Sequence, residues 1–293
     1  MDISQLPDTL MDEKNGNSRP IRIEFARRNG YFSMATNHFH SEYEIYYLFS
    51  GSRYYFIKDR TYAVQPGDLV LIGSDEVHKT SDKSSPSHER ILLYFRPSYF
   101  AALDEEDREL LLSAFSQDSP VLRLNLQERL KVEELLLSLL EELMEKPPGY
   151  GLHIAHMAAE LLLFTARTLQ KREAVPAVEE EPSAMQRKIT EIVRYINAHY
   201  GEPLDLDGLS ARFYISKSHL SRVFKETTGF GFAEYVNLTR IKEARRLLQD
   251  TELSITEISI ATGFNNFSHF GKMFKKTTGL SPRLYRSVNS PPR

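Results

Sequence analysis

Cysteine is absent from the 293-residue chain, which excludes disulfides, thiolate metal sites and cysteine nucleophiles and makes a reducing cytoplasm the expected location. Long apolar runs are missing as well. The densest one, Leu130 to Met144, is interrupted by Lys131, Glu133, Glu134, Glu141 and Glu142, so no membrane span is expected. The opening Met1 to Leu10 contains Asp2, Pro7 and Asp8 and does not read as a signal peptide. Net charge is also scarce, at −3. That small value hides a division: residues 183–293 hold 17 Lys and Arg against 10 Asp and Glu, whereas residues 1–182 hold 20 against 30. A basic C-terminal third beside an acidic remainder points to one part that meets a polyanion and another that does not. With 41% hydrophobic and 26% charged residues the composition is that of a globular protein, and the length favours two domains.

The hydrophobic period divides the chain in the same way. Short runs at Ile21 to Phe25, Glu44 to Phe49, Arg53 to Ile57, Asp68 to Ile72 and Ile91 to Phe95 read as strands, separated by turn signals such as Ser50-Gly51 and Gln65-Pro66-Gly67-Asp68. They predict an antiparallel sandwich or small barrel over 21–100, preceded by an arm over 1–20. From Leu103 the period becomes helical. Leu110, Leu111 and Phe115 are followed by Leu130, Leu135, Leu136, Leu139, Leu140 and Leu143, and then, beyond Pro147-Pro148-Gly149, by a run from Leu152 to Leu169. This helical region, 101–172, either covers the sheet or offers a stripe to a second subunit. Pro176, Pro182 and three consecutive Glu mark 173–183 as a linker. Seven short helical patterns fill 184–293, so the fold class is α+β with two domains, the second all-α.

Within the last third a twelve-residue segment recurs fifty positions on. Ser218-His219-Leu220-Ser221-Arg222-Val223-Phe224-Lys225-Glu226-Thr227-Thr228-Gly229 returns as Ser268-His269-Phe270-Gly271-Lys272-Met273-Phe274-Lys275-Lys276-Thr277-Thr278-Gly279, each behind a short helix and a turn. One supersecondary unit is used twice. Leu220, Val223 and Phe224, and likewise Phe270, Met273 and Phe274, form an inward i, i+3, i+4 stripe. What remains outward is Lys217, Ser218, Ser221, Arg222 and Lys225 in the first copy, and Asn266, Ser268, His269, Lys272, Lys275 and Lys276 in the second. For a single helix such a face equally suits plain solvation. Two copies inside a basic domain favour base edges and phosphates of double-stranded DNA. The run Phe232 to Gln249 joins the units as one helix of about 27 Å, a spacer that sets them near one DNA turn apart.

These residues resemble the AraC/XylS family of transcription regulators over roughly 184–288. The resemblance rests on Arg240-Ile241-Lys242-Glu243-Ala244-Arg245-Arg246-Leu247-Leu248, on Ile255-x2-Ile258-x4-Gly263-Phe264, and on Phe270-x3-Phe274-Lys275-x3-Gly279-x-Ser281-Pro282-x2-Tyr285-Arg286. It implies that Ser218, Ser221 and Arg222 face the major groove in the first unit, and Ser268, Gly271 and Lys272 in the second. Gly271 departs from the pattern, since a residue without a side chain reads no base. The N-terminal half carries a second resemblance. His38-x-His40-x3-Glu44-x6-Gly51 and Pro66-Gly67-Asp68-x9-His78 are similar to the two motifs of the cupins, jelly-roll barrels that serve sugar-sensing members of the AraC/XylS family.

On a strand, residues 38, 40 and 44 share parity and would converge with His78. Three readings stay open: a pocket in which His38, His40, Glu44, Tyr46, Arg53 and His78 bind a polar effector such as a sugar, with Tyr55 or Tyr94 nearby; a metal centre; or histidines that fill the barrel. The expectation adopted is the pocket, with no metal, cofactor or catalysis required. The family resemblance further implies an activator of carbohydrate-related genes, a homodimer joined near residues 126–170, and RNA polymerase as a partner. The rival is a metal-dependent cupin enzyme fused to a DNA-binding tail.

Overall fold

The computed structural model describes residues 3–12, 20–30, 39–82, 87–172 and 182–289. His38 and residues 173–181, most of the expected linker, lie outside them. The chain divides into two compact units.

The N-terminal unit contains β1 (Thr9–Met11), β2 (Ile21–Arg28), β3 (Tyr43–Ser50), β4 (Arg53–Ile57), β5 (Arg60–Val64), β6 (Asp68–Ile72), β7 (His78–Asp82), β8 (His88–Phe95) and β9 (Val121–Arg123). Six of them make one antiparallel sheet in the order β1-β2-β8-β3-β6-β9, and a smaller sheet runs β5-β4-β7. The sequence ends the barrel near residue 100 and treats 1–20 as an arm. The structure instead pairs β9 with β6 and β1 with β2, because three-residue strands are too short to declare a period.

Alternation decides which face of the large sheet goes where. Ile21, Ile23 and Phe25 of β2 alternate with Arg22, Glu24 and Ala26, and their neighbours Phe95, Leu93 and Ile91 on β8 alternate with Tyr94, Leu92 and Arg90. The apolar set packs beneath α3 (Leu126–Glu145) and α4 (Tyr150–Arg172), against Val132, Leu136, Leu139, Leu140, Ile154 and Leu161. Full burial of each such side chain contributes about 1.5–3 kcal/mol. The opposite alternates therefore face the interior between the two sheets. Usually the polar face of an antiparallel sheet meets water; here helices cover the apolar face, and charged residues are carried inside.

Before these helices come α1 (Pro97–Ala101) and α2 (Glu105–Ser113). Helix α3 begins at a capping box, in which the Asn125 side chain accepts from Glu128 N at 3.0 Å and Asn125 N donates to Glu128 Oε2 at 2.8 Å. It ends on Lys146 in the left-handed region, ahead of Pro147 and Pro148. Not all of its predicted stripe is inward: Leu130 is 60% exposed, and Leu126 and, on α4, Leu152 are more exposed still.

The C-terminal unit is all-helical: α5 (Ala184–Ala198), α6 (Leu206–Phe213), α7 (Lys217–Thr228), α8 (Phe232–Asp250), α9 (Ile255–Ala261), α10 (Phe267–Thr278) and α11 (Pro282–Asn289). The seven patterns of the sequence are seven helices. Among the described residues, no helix is long and apolar enough to cross a membrane.

Candidate functional site

Helices α7 and α10 each follow a short helix and a tight turn, α6 in one case and α9 in the other. Leu220, Val223 and Phe224 are buried on α7, and Phe270 and Phe274 on α10, while Met273 is half-buried. Every outward residue named from the repeat, Lys217, Ser218, Ser221, Arg222 and Lys225 and then Asn266, Ser268, His269, Lys272, Lys275 and Lys276, is exposed.

Three of these already have work within the unit. Arg222 pairs with Glu226 at 3.0 Å, and Lys217 with Asp207 at 2.7 Å. Exposed pairs of this kind contribute at most about 1 kcal/mol, so a polyanion competes for both cations at small cost. Asn266 is the N-cap of α10, its Oδ1 accepting from His269 N at 2.9 Å. That oxygen is committed to the helix, which leaves the amide nitrogen to face outward.

The two turns are built differently. Ahead of α7 the left-handed position is held by Tyr214, at φ 51°. Between α9 and α10 it is Gly263, at φ +80°, where a Cβ would stand 2.8 Å from the Tyr200 carbonyl oxygen and 3.0 Å from the Arg240 guanidinium. Arg240 donates from Nε to Tyr200 O and from NH2 to Glu202 O, both at 2.8 Å. Arg240 of α8 thereby holds the 200–202 segment against which this turn packs, and only glycine fits the close approach. Gly271, in contrast, has nothing within 4 Å of its would-be Cβ, so that spot on α10 is open backbone.

Inside the barrel the structure brings His40, Glu44 and His78 together. Nε2 of His40 lies 3.1 Å from Glu44 Oε2, and Nε2 of His78 lies 3.7 Å from it. Each ring is oriented by its other nitrogen, His40 Nδ1 against Glu42 O at 2.9 Å and His78 Nδ1 against Glu76 O at 2.8 Å. The parity argument needs correction. His40 precedes β3, which starts at Tyr43, so its approach to Glu44 comes from that backbone contact and not from strand alternation. His78 arrives on β7, opposite Ile57 of β4.

The Tyr55 hydroxyl donates to Glu44 Oε1 at 2.9 Å, so both carboxylate oxygens are engaged. Burial alone would lower the His40 pKa, but hydrogen bonding to Glu44 and the charges of Glu44 and Glu42 outweigh it and hold the imidazole above its ordinary value. Ligand atoms of His40, Glu44 and His78 all lie within 4.8 Å of one another, a spacing that a divalent cation could bridge.

Tyr46 and Arg53 stand elsewhere in the same interior. Tyr46 projects from β3 beside Tyr55, ring centroids 5.2 Å apart. Arg53, fully buried, donates from Nε to Thr80 Oγ1 at 3.0 Å and pairs through NH1 with Asp82. Sequence reasoning missed His88 and Arg90, which share this region, although the alternation of β8 with β2 carried the signal.

Two family models match the chain, the AraC-like ligand binding domain over residues 23–162 and a helix-turn-helix domain over 209–287. Among curated proteins, the chain is 27% identical over 266 residues to the HTH-type transcriptional regulator YfiF of Bacillus subtilis, covering 88% of this chain and 82% of that one. It is 31% identical over 156 residues to the HTH-type regulator YijO of Escherichia coli, spanning 53% of each. Among solved structures it is similar to ToxT of Vibrio cholerae, with 13% identity, 93% of this chain and 100% of that one covered, and a TM-score of 0.39. With a ligand-binding β domain ahead of two helix-turn-helix units, the chain belongs to the AraC/XylS family of transcription regulators.

Proposed function

We propose that the chain is an effector-responsive activator in which α7 and α10 read two successive major-groove segments of one DNA site, while the barrel binds a small polar effector. The observation that carries the DNA half is the pair of equivalent faces. Both present exposed small polar and basic residues over a buried apolar stripe, in a region where cations outnumber carboxylates. Arg222 and Lys272 are assigned to base edges, Lys275 and Lys276 to phosphates. The 19 residues of α8 extend about 28 Å, a spacer suited to one helical turn of DNA.

For the barrel, the supporting observation is that imidazole, carboxylate and hydroxyl groups, those of His40, His78, Glu44 and Tyr55, meet in the interior beside an apolar cluster of Leu48, Ile57, Val64, Val70, Ile72 and Leu92. His40, Glu44, Tyr46, Arg53 and His78, with His38 outside the described residues, are assigned to effector contact, and a sugar-like molecule suits their chemistry. A homodimer through α3 and α4 is consistent with exposed Leu126, Leu130 and Leu152, and activation would run through RNA polymerase. The metal reading also has an observation in its favour, the 4.8 Å cluster of His40, Glu44 and His78. Metal analysis of protein purified without added metal separates the two: near-stoichiometric metal lost in His40→Ala would favour the metal centre.

The test of the main reading is selection of the full chain on random double-stranded DNA. An enriched site with two protected segments per protomer, whose affinity changes with a candidate effector, is the expected result. Enrichment of no site would remove the proposal.

A further inference from the structure

The two outward-facing helices start at the same point of the repeat with different chemistry. Lys217 is the first residue of α7, and its counterpart fifty positions on, Phe267, is the first residue of α10. Lys217 is a cation, paired with Asp207; Phe267 is an aromatic side chain 53% exposed, and among the described residues no other phenylalanine is exposed. The core does not account for it. Phe270 and Phe274 carry the buried face of α10, and Phe267 meets that face only at its margin, its ring centroid 6.2 Å from that of Phe270.

The surface beside the ring is bare. Side chains on a helix lean toward its N-terminus, so a side chain at position 271 would lie over the turn that holds Phe267 and Ser268. Position 271 is glycine, with nothing within 4 Å of a would-be Cβ, where the first copy carries Ser221. One residue before the ring, Asn266 commits its Oδ1 to the cap of α10, accepting from His269 N at 2.9 Å, and its amide nitrogen is the donor left to face outward. The start of α10 therefore offers an apolar ring and a hydrogen-bond donor beside an uncovered stretch of helix.

In a helix-turn-helix unit the N-terminal residues of the second helix are the ones that meet base edges. Of the four bases, thymine alone presents a methyl group in the major groove, at C5, next to the acceptor O4. A phenyl ring has nothing to give a phosphate or a guanine acceptor, and apolar contact with that methyl is the base contact open to it.

We infer that Phe267 is a base-reading residue of the second unit: its ring packs on the C5 methyl of a thymine, Asn266 donates to O4 of the same base, and Gly271 leaves room for the approach. The inference rests on the assignment of α10 to the major groove made above, and it adds the base that this unit selects. It also separates the two units, because Lys217 at the equivalent position suits guanine acceptors or a phosphate.

The test is the affinity of the full chain for its selected DNA site, read by fluorescence anisotropy at fixed salt, with each thymine replaced in turn by deoxyuridine. That exchange removes the methyl and keeps O4. Loss of one buried methyl should lower wild-type affinity about three- to fivefold at one thymine per protomer. Phe267→Ser should bind the thymine and uracil versions of that position equally, whereas Phe267→Leu, which keeps an apolar side chain, should retain the difference. The wild-type comparison needs no variant and stands even if Phe267→Ser fails to fold. A site at which no thymine responds to loss of its methyl, or a response that survives in Phe267→Ser, would overturn the inference while leaving the DNA reading in place. Failure to select any site would instead remove the DNA reading, and this inference with it.

Discussion

Replacing Gly263 by alanine should damage the C-terminal unit, whereas the same replacement at Gly271 should strengthen it. At position 263 the cost has two parts. The left-handed φ of +80° disfavours any residue with a Cβ, by about 1–2 kcal/mol. The new methyl would also meet the Tyr200 carbonyl oxygen at 2.8 Å and the Arg240 Nε and Cζ at 3.0 Å, and the carbonyl is backbone that cannot swing aside. Overpacking of that kind adds about 1–3 kcal/mol, and it loosens the bonds from Arg240 to Tyr200 and Glu202 that hold the adjoining 200–202 segment. A destabilisation of about 2–5 kcal/mol follows from those two ranges. Gly271 lies in the interior of α10 with nothing within 4 Å of a Cβ, so alanine there should add about 0.5–1 kcal/mol of helix stability. Urea unfolding of the full chain, followed by circular dichroism, measures both. A cost below about 0.5 kcal/mol at Gly263, or effects of the same sign at the two glycines, would refute the account of the turn, since the close approach would then be relieved without strain.

Further outcomes are open to measurement. Arg222→Ala should weaken binding to a selected DNA site by about 1–3 kcal/mol and relax discrimination at one or two base pairs; unchanged specificity would remove Arg222 from base reading. Lys275→Ala should instead weaken binding on all sequences alike and reduce the salt slope by about 1, which a salt titration of affinity reads directly. Glu44→Gln should suppress the response to an effector while leaving DNA binding without effector intact, as measured by affinity with and without ligand. For pH, burial and then the charges of Arg53, Arg90 and Arg28 push the His88 pKa down to about 3 from 6.5. A depressed folded value means that this residue's contribution to stability is present above about pH 6.5 and is lost as pH falls toward 3. His40 has the opposite sign: its pKa is raised by Glu44, so its contribution is present below about pH 6.5 and is lost as pH rises through the folded value. Urea midpoints at pH 6.5 and 5 for wild type and His88→Gln should differ less in the variant; an equal drop in both would contradict the assignment to His88.

Sequence alone determined much of the C-terminal unit. A repeat at fifty residues, with apolar positions at i, i+3 and i+4, permits one helical face to be buried and one to be outward, and all eleven residues assigned to the outward face are exposed. Local chemistry suffices there because helix periodicity and caps are written within a dozen residues. The barrel was legible in β2, β3, β4, β6 and β8 and not in β1, β5, β7 and β9. His-Lys-Thr-Ser-Asp over β7 has no apolar alternation; it becomes a strand through its pairing with β4, opposite residues some 25 positions earlier. Tertiary structure also decided where the polar alternates of β2 and β8 point. The pattern of Arg22, Glu24 and Arg28 is the same whether that face meets water or a barrel interior, and only the packing of α3 and α4 on Ile23 and Phe25 turns it inward. The gathering of Arg53, His88, Arg90 and Tyr46 depends on that choice, since strands far apart in sequence bring their side chains together only once the two sheets face each other.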